Sequence, residues 1–349
     1  MSVHNSAKIG YALGGGAARG LSHVGVLKVL EEYKISPDII AGTSMGAVIG
    51  AMYASGLKAS DIEQVILHIG WKRLALPTNM TLPIGGLTQG KRVISLLKSL
   101  LGDQTFSRLK YDFACVATDI ITGEQVVFHD GSLVDAVRSS FSIPGVFTPV
   151  MINERYLVDG GLVNEIPVSV CREMGAEYII GVNVLPGPSR IMCNPKKGRN
   201  YPACELLRLG KIRDKKMLSM VSNEYSRSLR LRLDDIQNAV KTFLPDDQPQ
   251  EQRKTLNSSD SVRMDKAKRL QNKAPSLIDV LTQTLNIAEY QVAMENLKDA
   301  DIVISPELED IGFWQFNKSA QAIAAGEKAA RQVLQKNKLT HILSQSWLS

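Results

Sequence analysis

Three short stretches of this chain carry residues that could do chemistry, and glycine flanks each of them. Residues 42–46 read Gly-Thr-Ser-Met-Gly. This fits G-x-S-x-G, in which small neighbours let a serine stand on a sharp strand-to-helix turn with its hydroxyl exposed. The helix expected next points its N-terminus at the Ser44 hydroxyl, so its N–H groups favour developing negative charge there. The stretch also reads as an ordinary turn whose Ser44 caps the following helix.

A serine nucleophile needs a base, and ester cleavage needs donors for an oxyanion. The run ALGGGAARGLSHVG ends an expected strand and opens a helix, and its glycines can present successive backbone N–H groups to such a charge. It does not fit a dinucleotide loop: counting from Gly14, Arg19 stands where G-x-G-x-x-G needs its third glycine, and no G-K-[ST] follows. A cation beside the glycines suits a phosphate-bearing or otherwise anionic substrate. Of the five histidines (His4, His23, His68, His129, His341), none sits in the context of a hydrolase histidine loop, and they read as structural or surface residues. Asp159 in YLVDGG ends a strand before two glycines; it is the carboxylate candidate for a base, and taken alone it is also an ordinary turn aspartate.

The elements that must position these residues follow a βαβα rhythm. KIGYALGGG and PDIIAG read as strands, each followed by a helical pattern, which argues for a parallel sheet covered by helices. Leu76 to Gly90 reads as Pro/Gly-rich loop before the amphipathic helix KRVISLLKSLLG, whose apolar face suits either the core or lipid. FACVATDIITGEQVVFHDG reads as two strands around a Thr-Gly turn, DAVRSSFSIPG as a short helix stopped by Pro144, PVSVCREMG as a helix and EYIIGVNV as a strand. After a long change of rhythm, a long helix from Pro275, the strand DIVISP and a final helix restore the pattern.

With 349 residues, 44% hydrophobic and 22% charged, the chain can bury a large core as a soluble globular protein. The start MSVHNSAKIGYALGGG lacks the features of a secretory signal, and the longest uncharged run, Ile39 to Leu57, is too polar to span a membrane. Four cysteines without metal-ligand spacing fit a reduced, cytoplasmic setting. The net charge of +6 is concentrated between Arg190 and Lys273, where 20 Lys and Arg stand against 10 Asp and Glu. LLRLGKIRDKKML and YSRSLRLRL in that segment mix cationic and apolar residues as surface-seeking helices do; a solvated insertion has the same composition. Aromatics are few there (Tyr201, Tyr225, Phe243), so an anionic membrane surface fits better than nucleic acid.

Together, the glycine loop with Arg19, G-x-S-x-G and D-G-G, in that chain order, resemble the patatin-like phospholipases, most of all their bacterial cytoplasmic branch with GGGAARG near the N-terminus. The resemblance covers about the first 185 residues, resumes from Pro275 to Leu334 and fades across the basic segment. It implies an α/β fold: a single three-layer domain with a central, mainly parallel sheet, formed by 7–185 and 275–335. The basic insertion, largely helical or disordered, occupies 186–274, and a tail follows at 336–349. It also implies a Ser-Asp dyad of Ser44 and Asp159 without histidine. The oxyanion and substrate contacts fall to Gly15, Gly16, Ala17 and Met45, with Arg19 steadying loop or substrate, and Gly42, Gly46, Gly160 and Gly161 are motif glycines. Ala17 stands where plant patatins carry the third glycine of GGGxRG.

The resemblance further implies a phospholipase or lysophospholipase acting at a membrane surface, with no metal, calcium or organic cofactor. An aspartate base with an ordinary pKa of about 3.9 suggests a slow enzyme. Two alternatives stay open: acyl transfer from Ser44 to an alcohol, with His129 in the role of a transferase histidine, and a non-catalytic, membrane-associated regulator acting through the basic insertion.

Overall fold

The computed structural model describes residues 7–68, 87–187 and 277–336, with side chains throughout these except at 87–93 and 277–282. The basic insertion from residue 188 on, Cys193, Cys204, His4 and His341 lie outside the described residues. The chain divides into two units, residues 1–209 with 277–349 and residues 210–276, and every element described here belongs to the first.

The strands are β1 (Ile9–Leu13), β2 (Ile39–Thr43), β3 (Asp112–Asp119), β4 (Gln125–Phe128), β5 (Val150–Ile152), β6 (Arg155–Asp159), β7 (Tyr178–Val182) and β8 (Ile302–Ile304). They form one sheet in the order β5-β6-β3-β2-β1-β7-β8, with β4 also paired to β3. The run β3-β2-β1-β7-β8 is parallel, and β4, β5 and β6 add antiparallel ladders at one side. β1 and β2 are buried along their whole length, as strands covered on both faces must be.

The helices are α1 (Ser22–Glu32), α2 (Met45–Ala54), α3 (Ala59–His68), α4 (Leu87–Leu101), α5 (Leu133–Ser140), α6 (Val168–Glu173), α7 (Leu277–Asn296) and α8 (Ser319–Lys336). Two separate apolar clusters cover the two faces of the sheet. One gathers α1, α2, α3 and α8, the other α6 and the C-terminal end of α7. The result is a three-layer α/β domain, as the βαβα rhythm implied. α1 and α8 cross so closely that a Cβ on Gly25 would strike the Ile323 carbonyl, and one on Gly326 the Ser22 carbonyl.

The loop expected up to Gly90 ends earlier, because α4 starts at Leu87. Its apolar face, with Leu97 and Leu101 buried, holds the helix to the core, and a helix so anchored extends N-terminally through a single Gly90. No helix among the described residues is long and apolar enough to cross a membrane.

Candidate functional site

Ser44 sits at the bend between β2 and α2 with φ 54° and ψ −119°, a conformation that costs a non-glycine residue on the order of 1–3 kcal/mol. Contacts on every side hold it there. A Cβ on Gly46 would strike the Leu13 carbonyl of β1, and one on Gly42 would lie 2.6 Å from the Gly46 carbonyl, so the turn closes only with glycine at both positions. Thr43 Oγ1 donates to the Asn164 carbonyl at 2.8 Å, and the Ser44 amide donates to Ser140 Oγ at 2.9 Å. The amides of Met45 and Gly46, at the start of α2, have no partner among the described residues.

Asp159 reaches Ser44 because of an unusual ladder. Residues 112–116 of β3 pair with β2, whereas residues 117–119 pair with β6; β4 lies on the opposite edge of β3 and pairs with 115–118. β6 therefore takes over where β2 turns away, and since it runs antiparallel, the C-terminal ends of the two strands meet. Thr43 pairs with Val116 and Asp159 with the next residue, Ala117. Ser44 Oγ donates to Asp159 Oδ2 at 2.6 Å, and the Gly161 amide donates to Oδ1 at 3.0 Å. The Thr118 hydroxyl donates to the Asp159 carbonyl, and the Asp159 amide to the Ser142 carbonyl, so backbone and side chain are both fixed. Burial pushes the Asp159 carboxyl up to about 6, against the two hydrogen bonds that favour its charged form. That places it nearer to the range of a useful base than an ordinary aspartate.

The glycine loop leaves β1 beside this pair. The Gly14 amide donates to the Val182 carbonyl and the Gly15 amide to the Glu165 carbonyl, both at 3.2 Å. The amides of Gly16 and Ala17 have no partner among the described residues. Gly16 has φ 148° and Ala17 φ 48°, so the alanine occupies a left-handed conformation that glycine would adopt at less cost. Arg19 is buried, its Nε donating to the Ile311 carbonyl at 2.8 Å, with Nη1 unbonded and Glu289 as its charged neighbour. Desolvation lowers its guanidinium to about 10, so it remains a cation at neutral pH.

No histidine hydrogen-bonds Ser44 or Asp159 among the described residues. His23 is fully buried and bonds the Gly14 carbonyl through Nε2 at 2.7 Å, bracing the loop, and burial holds it at about 4 and neutral. His68 and His129 are exposed.

An apolar cavity of about 610 Å³, its open mouth included, lies against α2. Met45, Val48 and Met52 line it from α2 and Leu97 from α4, and Phe141 and Trp314 are among the other apolar side chains around it. The amphipathic helix α4 thus turns part of its apolar face to this cavity.

Sequence reasoning missed Glu165, Glu289, Ser140 and Asn164, all in or beside the site. Only Glu165, an acid inside the apolar run LVNEIPVSV, carries a local signal; Glu289 reads as one more surface acid on a long helix.

The sequence profile of the family described as patatin-like phospholipase matches residues 11–172. Two uncharacterized NTE family proteins of Mycobacterium tuberculosis are similar. One is 39% identical over 174 residues, covering 49% of this chain and 29% of that protein; the other is 30% identical over 189 residues, covering 53% and 52%. The patatin-like phospholipase domain-containing protein 6 of Mus musculus is 34% identical over 183 residues, covering 50% of this chain and 13% of that protein. The matches thus span from about an eighth to about half of those relatives' own lengths. The crystal structure of VipD from Legionella pneumophila covers 95% of this chain and 67% of that one at 13% identity and a TM-score of 0.45, a likeness too low to bear on function. Residues 11–172 thus match the family described as patatin-like phospholipase, and the relatives that resemble this chain do so over about half of its length.

Proposed function

We propose that this protein is a serine acyl-ester hydrolase acting on lipids, a phospholipase or lysophospholipase, with Ser44 as nucleophile and Asp159 as base. The observation that carries this reading is the 2.6 Å hydrogen bond from Ser44 Oγ to a buried Asp159 carboxylate, at a bend where the hydroxyl caps no N–H of the following helix. Ser44 Oγ attacks the acyl carbonyl carbon as its proton passes to Asp159 Oδ2, and the carbonyl π electrons become an oxyanion. The unbonded amides of Gly16 and Ala17, with those of Met45 and Gly46, are the donors available to that charge. The Gly15 amide already serves the Glu165 carbonyl and must give up that bond to join them. Collapse expels the alcohol, which takes the proton from Asp159. Water, deprotonated by the same carboxylate, then attacks the acyl-serine, releasing the acid and restoring Ser44. The apolar cavity beside Met45 suits a fatty acyl chain, which favours lipid esters.

Residues 7–185 and 275–335 form the catalytic domain in this reading, and a lipid surface supplies the substrate. The transferase alternative draws no support from His129, which is exposed and has Asp130 as its ionic neighbour.

The test is a parallel assay of wild type, Ser44→Ala and Asp159→Ala on p-nitrophenyl esters and on a lysophospholipid, with folding checked by circular dichroism. Both folded variants should lose turnover by on the order of a thousandfold. A wild type inert on both substrates, or variants that match it, would overturn the reading.

A further inference from the structure

Two further carboxyl groups close in on the Oδ1 side of Asp159. A Cβ placed on Gly161 would strike Glu165 Oε2 and stand 3.4 Å from Asp159 Oδ1 and 3.5 Å from Glu289 Oε1. One placed on Gly15 would stand 2.8 and 2.9 Å from the two Glu165 oxygens. The Glu165 side chain therefore fills space that two motif glycines leave open, one in the glycine loop and one at the Asp159 corner. Its own carbonyl accepts the Gly15 amide, so a single residue ties the two motifs together. Glu289 enters from α7; the residue is half-buried, with its carboxyl at the enclosed end.

The charged and titratable groups facing this trio come from four elements: Asp159 from β6, Glu165 from the loop that follows, Glu289 from α7, and Arg19 from the turn after the glycine loop. Their oxygens are not arranged as ligands of one metal ion. Three carboxylates this close, with one cation at their edge, cannot all ionise. The hydrogen bonds decide which one does. Asp159 accepts two, from Ser44 and Gly161, and both favour its charged form. Glu165 Oε1 is buried without any partner, the worst setting for a charge.

We propose that Glu165, packed between the glycine loop and the Asp159 corner, and Glu289, beside that corner, are positioning residues which stand as neutral carboxylic acids and leave Asp159 as the single negative charge facing Ser44. Burial, then the Asp159 charge, pushes Glu289 up to about 8, with Arg19 opposing. Burial, then Glu289 and Asp159, pushes Glu165 well above the usual carboxylate range. Once Glu289 ionises, a second negative charge stands beside the base and disfavours the negative charge that develops on the substrate's carbonyl oxygen, and turnover falls.

The kinetic part of this inference rests on the hydrolase reading, and the infrared part does not. The rate of wild type, Glu289→Gln, Glu165→Gln and Glu165→Ala is followed on soluble p-nitrophenyl butyrate from about pH 5 to about pH 10. Wild type should lose kcat on an alkaline limb centred near pH 8, and Glu289→Gln should lack that limb while keeping the acid one. Glu165→Ala should lower kcat about tenfold or more with little change in KM, and Glu165→Gln, shaped like the neutral acid, should restore most of the loss. Retention of the alkaline limb in Glu289→Gln, or equal loss in the Gln and Ala variants at position 165, overturns the proposal. Independently, difference infrared spectra at neutral pH should show protonated-carboxyl C=O bands in wild type that vanish singly in each Gln variant. Their absence overturns the proposal whatever the activity. Their presence in a protein that cleaves no ester sinks the hydrolase reading and leaves the protonation assignment standing.

Discussion

Ser44 and Asp159 lie 115 residues apart in the chain, yet the strands that carry them end against one another along a single edge of β3. The dyad geometry follows from this handover of β3 from β2 to β6. Because Val116 and Ala117 are consecutive, Thr43 and Asp159 are held to the spacing of one strand residue. Neither side chain needs a flexible loop to find the other.

Burial of Asp159 predicts a pH dependence of opposite sense for rate and stability. The chemistry needs the ionised carboxylate, so kcat/KM should rise through an acid limb centred near pH 6. For stability, the folded pKa of about 6 lies above the ordinary unfolded value of about 3.9. Between these values the folded state holds a proton that the unfolded state has lost, so stability falls as pH rises through the window. Above it the penalty levels off at about 3 kcal/mol. Urea denaturation should therefore find Asp159→Asn more stable than wild type at pH 7.5 by on the order of 2 kcal/mol, and nearly equal to it at pH 4. An Asn variant less stable than wild type at both pH values would contradict this.

His23 should show the reverse slope. Its folded pKa of about 4 lies below the ordinary 6.5, so the unfolded state binds the proton first as pH falls, and stability is lost from about pH 6.5 downward. His23→Gln keeps a donor for the Gly14 carbonyl and removes the titration. The stability difference between wild type and this variant should therefore shift against wild type on going from pH 7 to pH 4, by about 3 kcal/mol. A pH-independent difference would mean that His23 is not held neutral.

These groups also mark where the sequence stops being informative. The α/β fold and its mainly parallel sheet were legible because alternating apolar runs and helical periods are local patterns. Ser44 and Asp159 stood out because glycines at strand ends are local as well. Their pairing was legible only through the family resemblance, since nothing in YLVDGG itself tells that β6 follows β2 along β3. Glu165 and Glu289 were invisible as a pair because burial of an acid depends on packing between elements 124 residues apart. Arg19 was read as steadying the loop or the substrate; which backbone it would meet was not legible, and the fold buries it against the Ile311 carbonyl.

Ala17 offers a test of backbone strain in the glycine loop. With φ at 48° the alanine pays for a left-handed conformation, and Ala17→Gly should relieve about 1 kcal/mol of it, offset in part by the greater freedom of glycine in the unfolded chain. The net gain in stability should be a few tenths of a kcal/mol, whereas Ala17→Val, with a branched Cβ, should lose about 2 kcal/mol. Thermal denaturation of the two variants gives the ordering. If glycine were the less stable of the two, Ala17 would not be strained.

The apolar cavity makes a prediction about acyl-chain length. Val48 points into it from α2, one helical turn past Ser44, and is nearly buried. Val48→Phe fills space that a long chain needs while leaving room near Met45 for a short one. kcat/KM on a long-chain p-nitrophenyl ester should fall about tenfold or more relative to the butyrate, in line with the discrimination that a few methylenes provide in an apolar pocket. Equal loss on both esters would move the acyl chain out of this cavity.

Gly326 on α8 lets that helix lie against the Ser22 carbonyl at the start of α1, immediately behind the glycine loop and His23. A side chain there cannot be absorbed by rotamer change, because its neighbour is backbone. Gly326→Ala should therefore destabilise by about 3 kcal/mol, although alanine is the better helix former. The displaced α1 would carry His23 and the Gly14 carbonyl with it, so folded Gly326→Ala should also lose kcat more than an Ala substitution at exposed Lys328 on the same helix. A fully active and stable Gly326→Ala would show that α1 and α8 can separate without disturbing the loop.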